Sequence, residues 1–207
     1  MKTFWLALVG VFMAFNASAS GFSEDKQYVE LKNPVANQPQ VLEFFSFYCP
    51  HCYQFENIYH VPSTVEKNLP AGVTHERYHV DFIGPLGKDL TEAWAVAIVM
   101  KIEDKVTPIL FEGIQKTQTI NSKADIRNAF IKAGVSGEEY DAALNSFIVK
   151  SVAAKERQAA SDLQLQGVPA VYVNGKYQIK NDGIEPATVT GYAKGFFDVV
   201  NYLVTKK

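Results

Sequence analysis

The sequence predicts an α/β fold, a central mixed sheet flanked by helices and interrupted by an inserted all-helical domain. Three observations predict it. A β-branched and aromatic run, Val41 to Phe47, stops just short of a proline that can open a helix. The stretch from Ile83 to Glu156 carries helical spacing and capping patterns. Strand character then returns at Ala170 and is followed by a last amphipathic helix.

In chain order, Lys2, the apolar run Phe4 to Phe15 and Ala17-Ser18-Ala19 read as an export signal, residues 1–19, removed on secretion. The run is shorter than the roughly 20 apolar residues that span a bilayer. Nothing later is long and apolar enough to do so, so the mature protein is expected to be soluble and exported. Val41 to Phe47 is the first buried strand and Pro50 starts its helix. Thr74 to Phe82 is the next strand, after a connection broken by Pro62 and closed by Pro70-Ala71-Gly72.

Beyond the turn residues Gly84-Pro85-Leu86-Gly87, Leu90, Ala93, Trp94, Ala97 and Ile98 mark one helix face. Ser122 with Asp125 and Ser136 with Glu139 read as capping boxes. They open helices with apolar faces at Ile126 and Phe130, then at Tyr140, Leu144 and Phe147. Ala170 to Val173, Asn174-Gly175 and Lys176 to Ile179 form a hairpin signal. The closing helix shows Val189, Tyr192, Phe196, Val200 and Leu203 on one face. The organisation is therefore a first sheet part over 20–82, a helical insertion over 83–156 and a second sheet part over 157–207.

The chain has 207 residues and a formal net charge of −2, which argues against a nucleic-acid partner. It has two cysteines, Cys49 and Cys52, although an exported protein could use bridges freely. A bridge across two intervening residues constrains the unfolded chain little, so the pair is there to react.

With Pro50 as the first helical residue, Cys49 is the cap and Cys52 lies three residues in. Residues three apart on a helix are roughly 5 to 6 Å apart, within reach of a disulfide. The helix N-terminus offers unpaired N–H groups and partial positive charge, so the cap sulfur is favoured as thiolate and Cys49 is the candidate nucleophile. Cys52 is then the resolving thiol. Zinc is disfavoured because no second cysteine pair or tight histidine pair completes a site.

His51, between the cysteines, can add positive charge near the Cys49 sulfur. His60, His75 and His79 read as surface or satisfied strand residues. Glu43 shares a strand face with Val41, Phe45 and Phe47, a costly place for a carboxylate without work or a partner. It is expected to accept a proton beneath Cys52, the alternatives being contact with water or pairing with a lysine or arginine. Val168-Pro169, just before the hairpin, is compatible with a cis peptide and with an edge that pairs with an extended peptide.

The order β-α-β, helices, β-β-α, with C-x-x-C opening the first helix, is that of a thioredoxin-like fold. Cys49-Pro50-His51-Cys52, the run L-E-F-F-S-F-Y-C-P-H-C-Y-Q-F-E, the segment K-D-L-T-E-A-W-A-V-A and the later G-V-P-A-V-Y-V-N-G-K-Y together resemble the DsbA family of periplasmic disulfide oxidases. The resemblance runs through essentially the whole mature chain. It implies a thioredoxin fold interrupted by a helical domain, with Cys49 exposed, Cys52 buried and Val168-Pro169 cis beside them. Gln54 is expected to join Val168 and Pro169 in binding substrate.

The resemblance also implies a direction: the disulfide is donated to newly exported proteins with free cysteines, and a DsbB-like, quinone-linked membrane protein restores it. The redox-active disulfide replaces any cofactor, and the protein is expected to be a periplasmic monomer. Arg77 stands where the family often has lysine beneath the active site, which leaves its part in the Glu43 charge network open, and Asn181 to Tyr192 departs from the family's pattern. A disulfide reductase or isomerase, and a peptide-binding chaperone, are the competing functions. The sequence further predicts that the reduced protein is the more stable form, because cap and His51 stabilise a thiolate that exists only after reduction.

Overall fold

The computed structural model describes residues 21–206; the expected signal segment lies outside them. Five strands, β1 (Tyr28–Glu30), β2 (Val41–Phe45), β3 (His75–His79), β4 (Ala170–Val173) and β5 (Tyr177–Ile179), form one sheet in the order β1-β5-β4-β2-β3. β2 and β3 run parallel and the other pairs antiparallel, so the sheet is mixed as expected. β1 is not evident from the sequence. It is three residues long and among the described strands pairs with β5.

β2 is the axis of the molecule. It lies between β4 and β3 and is covered on both faces, which is why it reads as a continuous apolar run and not as an alternation. On one face Val41 packs with Val61 and Val65 of α2 (Val61–Asn68) and with Phe196 and Val200 of α8 (Tyr192–Thr205). Further along that face, Phe45 and Phe47 meet Trp94 of α3 (Gly87–Met100) and Phe111 of α4 (Glu103–Phe111). Glu43 falls between these two apolar regions. Leu42 and Phe44 on the opposite face pack with Ala159 and Leu163 of α7 (Phe147–Asp162) and its end.

Between β3 and β4 the chain is helical: α3, α4, a π-helical turn (Glu112–Lys116), α5 (Lys123–Lys132), α6 (Gly137–Leu144) and α7. The expected boundary at 156 falls within α7. Ser136 and Glu139 cap α6 reciprocally, the hydroxyl accepting from Glu139 N and the carboxylate accepting from Ser136 N. At α5 only half of that pattern forms. Ser122 Oγ accepts from Asp125 N, while the Asp125 carboxylate takes the Asn121 N–H and the Ser122 hydroxyl.

Two apolar positions are corrected. Phe147 does not continue the α6 face: Ser146 caps a new helix that Phe147 opens, leaving its side chain 85% exposed. Val189 precedes α8 and is exposed as well, because that helix begins only at Tyr192. The hairpin turn is as the sequence predicts, with Asn174 and Gly175 both in the left-handed region at φ 54° and 60°. A Cβ on Gly175 would also lie 2.0 Å from the Val35 carbonyl oxygen, so only glycine fits.

Trp94 ties the insertion to the sheet. It is buried among Phe45 and Phe47, and its indole N–H donates to the Arg77 carbonyl of β3 at 2.7 Å. Trp94→Phe removes buried volume and leaves that carbonyl without its donor, and is expected to cost about 2 to 4 kcal/mol. Urea unfolding checks this through the midpoint, with the slope unchanged.

Candidate functional site

The two cysteines sit where β2 hands over to α1 (Pro50–Asn57). Cys49 is the N-cap, with extended backbone at φ −84° and ψ 116°, and Pro50 occupies the first turn where its missing N–H costs nothing. The Cys52 N–H donates to the Cys49 sulfur at 3.3 Å, and that thiol in turn approaches the Val168 carbonyl oxygen at 3.3 Å. Both are free thiols, Cys49 7% and Cys52 2% exposed. The order of exposure is as expected, but Cys49 is less open than the family resemblance implies, because the Val168 segment folds over it.

Their acidities are driven apart. Cys49 is lowered from 9.0 to about 6, foremost by the Cys52 thiol hydrogen-bonding to it. The Cys52 and His51 N–H groups and the charge of His51 add to this, against the opposing effect of burial. Cys52 is pushed well above the ordinary thiol value, first by burial and then by its bond to, and the charge of, Cys49. The thiolate is thus favoured at Cys49 and disfavoured at its neighbour.

Glu43 is 2% exposed and has found an arginine. Arg77, paired with it across the parallel β2–β3 register, donates from Nε to its carboxylate at 3.2 Å and from Nη2 to Glu56 of α1. The guanidinium lies over the Phe45 ring at 4.8 Å and the Trp94 ring at 5.7 Å. Burial raises the Glu43 carboxyl from 4.5 to about 7; Arg77 opposes this and Glu56 reinforces it. Two carboxylates share one guanidinium, which adds to the effect of burial. The Glu43 charge is also the least of the causes that raise Cys52.

Val168-Pro169 is cis. With His51 and Gln54 it lines a groove of about 570 Å³ whose far wall carries Tyr59, Asn181 and Tyr192. The expected substrate-binding residues therefore converge beside the cysteines. Asn181 Nδ2 donates to the Pro169 carbonyl at 2.8 Å and the Tyr192 hydroxyl donates to the Asn181 carbonyl at 2.9 Å, so the divergent segment shapes this wall.

Of the other histidines, His60 caps α2 in the left-handed conformation and is exposed. His75 is lowered to about 4, mainly by burial, with the Arg77 charge adding. His79 is a satisfied strand residue that also holds the active-site turn. Its Nε2 accepts from Phe47 N at 3.2 Å and its Nδ1 bonds Thr91 Oγ1 at 2.8 Å. Burial lowers it to about 3, so it is neutral, and the acceptor role of Nε2 places the proton on Nδ1. Two further contacts have no sequence signal. Glu56 joins the ion pair from α1, and Gln115 reaches the active-site turn from the π-helical segment. Among the described residues no group of three or more His, Cys, Asp or Glu side chains could hold a metal, and no helix is long and apolar enough to cross a membrane.

The model of the DSBA-like thioredoxin domain matches residues 40–189. Along their full lengths the chain is 62% identical to the thiol:disulfide interchange protein DsbA of Pectobacterium carotovorum subsp. carotovorum and 57% identical to that of Escherichia coli K12. A structure of Proteus mirabilis DsbA with a non-covalently bound peptide superposes with a TM-score of 0.88 at 57% identity, covering 90% of this chain and all of that one. A second structure of DsbA from that organism gives a TM-score of 0.87, covering 90% of this chain and 98% of the other. The thioredoxin-like fold with its helical insertion is therefore established. With a C-P-H-C pair at a helix cap and this likeness along its whole length, the chain belongs to the DsbA family and is a thiol-disulfide oxidoreductase.

Proposed function

We propose that the chain donates a Cys49–Cys52 disulfide to cysteine pairs of unfolded exported proteins in the periplasm. The observation that carries this is the Cys52 N–H directed at the Cys49 sulfur from the start of α1, with an open peptide groove alongside. A client thiolate attacks Cys49 Sγ, the disulfide breaks, and Cys52 leaves with the electron pair and takes up a proton. A second client thiolate then attacks the client sulfur of the mixed disulfide and expels Cys49 as its stabilised thiolate. The client loses two electrons to the dithiol. A DsbB-like, quinone-linked membrane oxidase withdraws them, and no further cofactor takes part. A depressed thiol pKa makes a couple oxidising, an effect for which DsbA proteins are a standing example.

In this reading the Cys52 thiol and then the α1 terminus and His51 set the acidity of Cys49, and Pro50 opens the helix that presents them. Gln54, Val168 and Pro169 seat the client, whose extended backbone pairs with the Val168 edge, and the P. mirabilis complex with a bound peptide supports such a role for the groove. Residues 20–82 and 157–207 form the unit that does this, 83–156 is its helical insertion, and a monomer suffices. Segment 1–19 directs export.

Three outcomes test the reading. First, offered client chains whose cysteines are capped as mixed disulfides with glutathione, Cys52→Ala should accumulate client adducts through Cys49, glutathione thiolate leaving, while Cys49→Ala should not; equal yields from both would overturn the assignment. Second, Glu43 serves Cys52 as proton acceptor and donor. Glu43→Gln should slow the steps in which Cys52 gains or gives up its proton, formation of the mixed disulfide and its resolution by Cys52, by about tenfold or more and flatten their pH dependence around 7. Unchanged rates at pH 6, 7 and 8 would leave Glu43 no such part.

Third, thermal unfolding should find the reduced form the more stable at pH 7. A thiol held at about 6 in the fold and at 9.0 outside it stabilises the reduced form fully above about 9 and loses this as pH falls through about 6. The Tm gap between the two forms should therefore narrow from pH 8 to pH 5. An oxidised form that melts higher at pH 7 would sink the oxidase mechanism.

A further inference from the structure

The turn that presents Cys49 is held from both sides. Cys49 N donates to the Ser46 carbonyl at 3.0 Å, closing the turn, and Phe47 N donates to His79 Nε2. That leaves the carbonyls. Gln115 Nε2 donates to the Phe47 carbonyl oxygen at 2.8 Å and to the Cys49 carbonyl oxygen at 2.8 Å, which uses both hydrogens of its amide. Among the described residues, Gln115 is the only hydrogen-bond partner of the Phe47 carbonyl. The Cys49 carbonyl also accepts the first helical bond, from Tyr53 N at 3.1 Å, and its two lone pairs accommodate both donors.

The donor comes from the insertion, at the one place where its helices depart from regular α geometry. Glu112–Lys116 is a π-helical turn, a feature concentrated at functional sites because it re-aims side chains. Its next residue grips the same helix: Lys116 Nζ lies 4.6 Å from the Tyr53 ring centroid, in the first turn of α1. Phe111, at the end of α4, packs on Phe47 at 4.8 Å and on Tyr53 at 5.9 Å. The orientation of the Cys49 carbonyl fixes ψ of the cap, and ψ fixes whether the sulfur stays over the helix N–H groups.

We propose that Gln115 is a positioning residue for disulfide exchange: its amide clamps the Phe47 and Cys49 carbonyls so that the Cys49 sulfur stays aligned with the Cys52 N–H. The helical insertion thereby tunes the redox couple as well as covering it. This rests on the exchange chemistry proposed above, and it predicts something that chemistry does not require. Loss of the clamp should make the protein a weaker oxidant even where the fold, the C-P-H-C segment and the groove are intact.

The test uses the full mature chain and two substitutions, Gln115→Met, which keeps length without donors, and Gln115→Glu, whose carboxylate cannot donate to a carbonyl. Two readouts are taken: thiolate absorbance against pH for Cys49, and the equilibrium constant with glutathione. Both variants should titrate at higher pH than the parent and show an equilibrium constant about tenfold less oxidising, which is about 30 mV for this two-electron couple. Phe130→Leu is the control for destabilisation alone. It loosens the insertion where Phe130 packs on Tyr140 at 4.7 Å, and it should leave both readouts at the parent's values.

Titration and equilibrium unchanged in Gln115→Met and Gln115→Glu would overturn the proposal, as would an equal shift in Phe130→Leu. If one Gln115 variant fails to fold, the other decides by the same criterion. Failure of the exchange reading itself would look different: the parent's Cys49 would titrate like an ordinary thiol.

Discussion

A thiolate in a protein needs hydrogen-bond donors to replace those of water, and here the Cys52 thiol and the backbone at the helix start supply them. Cys49 Sγ takes the Cys52 N–H at 3.3 Å because a proline follows the cap and the chain turns into α1 there. Much of the surrounding architecture serves that single arrangement. β2 is fixed by neighbours on either edge and helices on both faces, so the residues after Phe45 leave the sheet at a defined point. Phe47 is then held through its N–H by His79, through its carbonyl by Gln115, and through its ring by stacking on His79 and edge contact with Phe111.

The same position explains the difference between two thiols three residues apart. At the cap a sulfur meets N–H groups; a turn deeper, the helix has used its own donors and a sulfur meets apolar side chains. Burial therefore raises Cys52 while donors lower Cys49. The buried ion triad beneath them is weak evidence for stability, since desolvating two carboxylates and a guanidinium costs about as much as their attraction returns. Its chemical value lies in the imbalance. Burial first, and then the second carboxylate on the one guanidinium, hold Glu43 near 7 and not at its ordinary 4.5, with Arg77 opposing.

What the sequence reveals and what it hides divide along sequence separation. Val41–Phe47, the C-P-H-C turn, the Asn174-Gly175 hairpin and the Ser136 cap are written in neighbouring residues, and each is legible. The odd carboxylate in β2 is legible too, as are the kinds of partner it could take. That the partner is Arg77 depends on the β2–β3 register, which no local pattern states. β1 is hidden because three residues in a polar stretch gain strand form only by pairing with β5, far along the chain. Val189 and Phe147 mislead because helical spacing continues across residues where the backbone has already stopped or restarted. Gln115 is invisible for both reasons: it lies 66 residues from Cys49, and a π-helical turn has no periodicity that a scan for 3.6 could find.

This separation also bears on why an all-helical segment should interrupt the sheet between β3 and β4. The face of β2 that carries Glu43 is covered near Val41 by α2 and α8, but toward Phe45 and Phe47 those helices are replaced by Trp94 and Phe111. Without them, Phe45, Phe47 and the Arg77 guanidinium would face water. A hydrated Arg77 would hold Glu43 less far from its ordinary acidity, because burial is the largest cause of the shift. The insertion thus excludes water from the Glu43 carboxylate and meets the active-site turn at Gln115, two effects delivered by adjoining parts of α3, α4 and the π-helical turn.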